Sequence, residues 1–347
     1  MKKILAILLS LLTLLSCGFL SACSAEKTQP DTPDTETVWE MVSEAYIYAF
    51  PLVLTDATKT LSTNTDGTMT GRAPINQFNH AKKLADASFR TVVTPNVDTV
   101  YSQAWLDIST EPMVYVLPET DRFCNVQLLD AWTNTVAVLD KAGAYAIALP
   151  GWEGELPDAA LLGEGAAERW TQMLQGLRAT LAADGAKYAQ KLGQWIYYGK
   201  PIGDFGTEYT YRAMVALVGL GANTVDVAIY PKTAVDETGA ALTGEKKYTL
   251  HFETLPPTLE GGFWSVTAYG EDDFLIDNSI DRYCINDRSD FKLNADGTLD
   301  IILSKDAPED TSNWLPVSDG EFHLFMRIYV PDMTALDSWQ PPVIREQ

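Results

Sequence analysis

The sequence predicts a multidomain α+β chain that is mainly β, with two regions of short strands separated by a helical segment. Apolar and polar residues alternate with a period of two between residues 97 and 149 and again beyond 225, in runs punctuated by Pro, Gly and Asp. Between 166 and 220 the apolar spacing changes to three and four. The chain has 347 residues, 46% of them hydrophobic, and so exceeds the roughly 250–300 residues at which a single core stops growing.

The first element is an address. Met1, Lys2 and Lys3 form a short basic region, and residues 4–15 are an apolar run broken only by Ser10 and Thr13, the pattern of a secretory signal. The run leads into Leu20-Ser21-Ala22-Cys23, which resembles the lipobox of bacterial lipoproteins, where a Cys behind small residues is diacylated and becomes the new N-terminus. Leu15-Ser16-Cys17 fits less well, because a bulky Leu stands where a small residue is preferred. As a membrane-spanning anchor the run falls short of the ~20 apolar residues a bilayer requires. The expectation is a signal peptide over 1–22, lipidation at Cys23, and a protein on the cell membrane facing outside the cytoplasm, held by its lipid alone. Residues 23–37, polar and Pro-containing, read as a flexible tether.

Charge narrows the partners. There are 25 Lys plus Arg against 47 Asp plus Glu, a net −22, and loss of the signal would remove two lysines more. Nucleic acid is excluded as a partner, since phosphate binding needs a basic face.

Residues 38–165 read as one domain. Thr37-Val38-Trp39-Glu40 matches a capping box and opens a stripe of Val38, Val42, Ala45, Tyr46, Ala49, Val53 and Ala57, hence a helix with a kink at Pro51. Strands follow at about 97–108, 113–117, 123–129, 136–139 and 145–149. Residues 166–222 read as helical: Trp170, Met173, Leu174, Leu177 and Leu181 share one face, Tyr188, Leu192, Trp195 and Ile196 another, and a further helix spans about 209–220. Residues 223–347 carry strands at about 225–230, 247–253, 263–269, 283–285, 300–304 and 322–330, with a turn at Asp296-Gly297, which suggests a second sandwich or jelly roll.

The familiar catalytic motifs are absent: no HExxH, no GxSxG and no Walker A loop occur. Gly219-Leu220-Gly221-Ala222-Asn223 lacks the third Gly of a dinucleotide fingerprint and reads as a turn. The Asp-rich turns at 64–67 and 294–297 lack the ligand set of a calcium loop. His80, His251 and His323 come from separate segments, so no metal site is expected, and no motif names a cofactor.

Polar groups on otherwise apolar strands carry more information. In residues 321–330, Phe322, Leu324, Met326, Ile328 and Val330 form one face; Glu321, His323, Phe325, Arg327 and Tyr329 form the other. Glu321 and His323 fit a solvated face, whereas Arg327 with Tyr329 is a candidate anion receptor. In Thr94-Pro95-Asn96-Val97-Asp98-Thr99, Asn96 and Asp98 can cap a turn, or Asp98 can serve as a general base with Tyr101 beside it. Asp130 ends another strand in the same way. Cys124 and Cys284 could pair outside the cytoplasm or remain two buried thiols.

These stretches resemble two bacterial families. PNVDTVYSQAWLDI, RFCNVQLLDAWTN and AYAIALPGW are similar to "domain of unknown function 1254"; EYTYRAMVALVGLGAN, YTLHFETLPP, FWSVTAY, NADGTLDI, NWLP and RIYVP are similar to its usual downstream partner, "domain of unknown function 1214". The resemblance implies an N-terminal immunoglobulin-like sandwich, a helical segment and a C-terminal jelly-roll sandwich. It also directs attention to Asn96, Asp98, Tyr101, Asp130, Tyr209, Arg212, Trp264, Tyr269, Asn313, Trp314, Arg327 and Tyr329. Trp264 and Trp314 read as packing residues and Asn313 as a turn residue. A buried Arg212 would need a partner, with Asp98 and Asp130 its natural choices, in a salt bridge or a catalytic pair. Cys124 and Cys284 both depart from the family pattern, which raises the disulfide reading.

The expectation is an enzyme of hydrolase or lyase type acting on a small organic molecule, an anionic one included, in an interdomain cleft. Asp98 and Asp130 would be acid and base; Asn96, Tyr101, Arg212, Tyr269, Arg327 and Tyr329 would bind the ligand. The alternative is a non-catalytic solute-binding lipoprotein, or a structural surface protein that works by assembling into a homo-oligomer.

Overall fold

The computed structural model describes residues 35–66, 71–153, 160–162 and 186–347. The signal, Cys23, most of the tether and the helical face from Trp170 to Leu181 lie outside the described residues. The chain divides into two compact units, 1–42 and 43–347. Among the described residues no helix is long and apolar enough to cross a membrane.

Helix α1 (Thr35–Thr63) bears out the N-terminal helical stripe and holds Pro51 within its length. The long strand expected over 97–108 is not formed. Only β1 (Asn79–His80) and β2 (Ser102–Gln103) pair in this region, because residues 94–99 bond to side chains of a distant sheet instead of to a neighbouring strand. Next come β3 (Met113–Leu117), β4 (Val126–Leu129), β5 (Thr135–Leu139), β6 (Gly143–Ile147) and β7 (Ala160–Leu162), arranged as a three-stranded sheet β3-β6-β7 and a hairpin β4-β5.

The segment expected to be helical around Tyr188–Ile196 is a β-hairpin, β8 (Ala189–Leu192) and β9 (Trp195–Tyr198). Its apolar spacing fits a helix equally well, but Gly193 turns the chain at φ +60°, and a Cβ there would meet Pro341 Cγ at 2.7 Å. Trp195, fully buried, gives its indole N–H to the Pro342 carbonyl at 2.8 Å. Helix α2 (Tyr209–Gly219) follows as expected, with Tyr211 to Ala216 all buried.

The remaining strands are β10 (Ala228–Ile229), β11 (Lys232–Thr233), β12 (Tyr248–Phe252), β13 (Thr258–Gly270), β14 (Cys284–Asn286), β15 (Leu299–Ser304), β16 (Trp314–Pro316), β17 (Phe322–Pro331) and β18 (Val343–Glu346), with a short helix α3 (Met333–Leu336). They build a seven-stranded sheet in the order β14-β13-β17-β11-β9-β8, with β10 also on β17, and a four-stranded sheet β16-β15-β12-β18. The architecture is mainly β, with several separate sheets and three α-helices among the described residues.

One core joins the two larger sheets. Trp264, Val266 and Ala268 of β13 and Leu324, Met326 and Ile328 of β17 pack in the same cluster as Leu250 and Phe252 of β12 and Ile301 and Leu303 of β15. Trp314 is buried and its indole N–H bonds the Ser304 carbonyl, which bears out its packing role. Asn313 ties its loop to the backbone of Lys292 and Asp300, as a turn residue should.

Register places the polar residues. β13 and β17 pair antiparallel with Ser265 opposite Arg327, Thr267 opposite Phe325 and Tyr269 opposite His323. β14 adds Asn286 opposite Ser265 and Cys284 opposite Thr267. Since side chains alternate, the even-numbered residues of β13 and β17 fill the core, and Ser265, Thr267, Tyr269, Phe325, Arg327 and Tyr329 share the other face.

Candidate functional site

Residues 94–98 cross this second face. Arg327 is 4% exposed; its Nη2 donates to the Thr94 carbonyl at 3.0 Å and the Tyr269 hydroxyl at 2.7 Å, and its Nη1 to Thr267 Oγ1 at 3.2 Å. The Tyr269 hydroxyl in turn donates to the Pro95 carbonyl at 2.7 Å. Burial opposes the charge of Arg327, but Tyr269, Tyr329 and Asp98 outweigh it and raise its pKa. Asn96 Nδ2 reaches the hydroxyls of Tyr329 at 2.6 Å and Tyr101 at 2.7 Å. Its Oδ1 accepts from the Asp98 backbone N–H at 2.7 Å, closing an Asx turn.

The Asp98 side chain is shut off from solvent. It accepts a hydrogen bond from the Ser265 hydroxyl and has Arg288 Nη2 at 3.9 Å and Cys284 Sγ also at 3.9 Å. Burial, then the Asp98 charge, push the Cys284 thiol up to about 12, so it stays protonated and weakly reactive. The disulfide is not formed: Cys284 and Cys124 are both free, the one half-buried beside Asp98 and the other exposed. Cys124 lines a cavity of about 640 Å³ with Pro118, Asp121, Arg122 and Asp140, and none of the candidate catalytic or ligand-binding residues reaches it.

A second cluster forms around Arg212. This guanidinium is 5% exposed, and its Cζ lies over the rings of Trp132 at 4.7 Å, Tyr209 at 5.2 Å and Tyr48 at 5.8 Å. The rings also meet one another, Tyr48 lying 4.9 Å from Trp132 and 5.0 Å from Tyr209 between centroids. Arg212 Nε and Nη2 have no hydrogen-bond partner among the described residues. Burial lowers its pKa, with Asp130, Tyr48 and Tyr209 offsetting this only in part.

The salt bridge expected from Arg212 to Asp98 or Asp130 is not made; among the described residues no carboxylate lies within 4.0 Å of the guanidinium. Asp130 is engaged by its own turn instead, accepting from the backbone N–H groups of Trp132 and Asn134 at 2.8 Å each and from Asn134 Nδ2 at 2.8 Å. Two clusters with no residue in common therefore replace the single site expected: Asn96, Asp98, Tyr101, Tyr269, Arg327 and Tyr329 in one, Asp130 and Arg212 in the other.

Ser265, Thr267 and Arg288 were not singled out in the sequence. The first two were legible as the polar positions of FWSVTAY; Arg288 carried no signal. Tyr48 was missed because its own helix makes it one aromatic among several. His323, expected on a solvated face, is half-buried against Tyr269 and Phe325. Among the described residues no group of His, Cys, Asp or Glu is placed to hold a metal.

Comparison with known proteins agrees with the fold and is silent on activity. Residues 75–176 match the family described as "Protein of unknown function (DUF1254)" and residues 227–333 the one described as "Protein of unknown function (DUF1214)", in that order. No curated protein matches the chain. A crystal structure of the VPA0106 protein from Vibrio parahaemolyticus is similar at a TM-score of 0.65 and 18% identity, over 89% of this chain and 99% of that one. A putative uncharacterized protein from Burkholderia cenocepacia is similar at 0.45 and 12%, over 92% and 91%.

Proposed function

We propose that the protein is a lipid-tethered, extracytoplasmic binding protein for a small anionic molecule, and that it captures this ligand without transforming it. The observation that carries the reading is Arg212, a nearly enclosed cation with two N–H groups left unpartnered among the described residues and aromatic rings around it. Buried donors are ordinarily paired, so a site of this kind is completed by an acceptor from outside. Binding is favoured over hydrolysis or elimination because both candidate acid–base groups are engaged: Asp98 is sealed from solvent under Ser265, and Asp130 accepts three hydrogen bonds within its own turn.

The tether and the extracytoplasmic address rest on the sequence of residues 1–23 alone. In the same reading the sheets formed by β3 to β7 make an immunoglobulin-like sandwich, and the seven- and four-stranded sheets, which share a core, make a jelly roll. A thermal-shift series on the full chain in sodium salts at fixed ionic strength tests the binding. A bound anion at 100 times its Kd adds about 2.7 kcal/mol to the folded state; a melting temperature indifferent to every anion overturns the reading.

A further inference from the structure

We propose that the ligand at Arg212 is a small carboxylate bearing a hydrogen-bond donor close to its carboxyl group, such as a 2-hydroxy acid. This rests on the binding reading above and names its ligand class. Four buried polar atoms of this region have no partner among the described residues: Arg212 Nε and Nη2, Thr133 Oγ1 and Asn134 Oδ1. The two nitrogens are neighbours along one edge of the planar guanidinium, and their N–H bonds run parallel. That edge matches the two oxygens of a carboxylate. Cζ lies 4.7 Å from the Trp132 ring centroid and 5.2 Å from that of Tyr209, contacts to π-systems that leave Nε and Nη2 without a hydrogen-bond acceptor among the described residues.

The other two atoms decide what accompanies the carboxylate. Thr133 and Asn134 belong to the turn that supplies Trp132, and Asp130 of that turn acts on Arg212 electrostatically. Asn134 Nδ2 is committed to Asp130 Oδ2 at 2.8 Å, which fixes its Oδ1 as an acceptor awaiting a donor. A hydroxyl beside the carboxyl group supplies one. Sulfate brings further oxygens toward this acceptor and no donor; phosphate keeps an O–H at pH 7 but is tetrahedral where a carboxylate is planar, so it is the stringent competitor for glycolate. Thr133 is also held at φ +68°, a conformation unfavourable for a β-branched residue, and strain of this kind collects at ligand sites. Tyr48 and Tyr209 are 45% and 40% exposed, so the aromatic box meets solvent on their side.

Calorimetric titration of the full chain with sodium glycolate, acetate, sulfate and phosphate at pH 7 and fixed ionic strength tests this. Glycolate should bind at least tenfold more tightly than the other three, and Arg212→Lys, which keeps the charge but loses the parallel pair, should weaken glycolate at least tenfold. Sulfate or phosphate binding as well as glycolate overturns the carboxylate assignment and leaves the anion-binding reading standing. No binding by any of the four overturns both, and an unaltered affinity in Arg212→Lys removes the site from Arg212. Should that variant fail to fold, peptide mapping of phenylglyoxal modification on the unaltered chain replaces it: glycolate should protect Arg212, and equal modification with and without glycolate overturns the proposal.

Discussion

Asn96 Nδ2 and the Tyr329 hydroxyl stand 2.6 Å apart, joining two side chains separated by 233 positions in sequence. The contact fastens residues 94–99 to the middle of the seven-stranded sheet. Tyr329→Phe removes the hydroxyl and keeps the ring, which stacks on Phe263 at 4.3 Å. Chemical denaturation should show a loss of about 1 kcal/mol, the net worth of one such bond. An unchanged stability would mean that this segment is held by other means.

Asp98→Asn separates a structural carboxylate from a catalytic one. The variant removes a negative charge that faces Ser265, Cys284 and Arg288 and supports Arg327, so it should lower stability by about 1–3 kcal/mol. Full stability combined with loss of an activity would return Asp98 to the role of general base.

The two free thiols should differ sharply in reactivity. Iodoacetamide at pH 8 followed by peptide mapping should label exposed Cys124 and spare Cys284 in the folded chain, and label both in denaturant. Equal labelling of both in the folded chain would contradict the half-buried, protonated state of Cys284 beside Asp98.

His251 should make stability depend on pH. Its bond to Asp300 at 2.6 Å, helped by Glu253 and opposed by burial, raises its pKa in the folded state above the unfolded value. The contribution is therefore fully present below the unfolded pKa, about 6.5, and disappears as pH rises through the folded one. The stability difference between the unaltered chain and His251→Gln should be largest near pH 5 and shrink toward pH 9. A difference that grows with pH would contradict the assignment.

Much of the C-terminal half was legible in the sequence because its strands keep strict alternation. The polar residues on 321–330 pointed to one face, and the register of β13 against β17 adds Ser265 and Thr267 to it. The hairpin at β8 and β9 was not legible, because apolar residues at 188, 192, 195 and 196 satisfy a helix until Gly193 is seen to turn the chain and Trp195 to enter the core. The separation of Arg212 from Asp98 was equally out of reach. Sequence shows that a buried arginine needs a partner, but which carboxylates are already engaged by their own turns is a matter of tertiary geometry.

The most direct test of the central claim is a crystal structure of the chain grown with sodium glycolate. The account predicts a carboxylate in the plane of the Arg212 guanidinium, with its oxygens roughly 2.7–3.2 Å from Nε and Nη2. Its hydroxyl should face Asn134 Oδ1. An Arg212 edge occupied by a side chain of the protein itself, with glycolate elsewhere or nowhere, would contradict it.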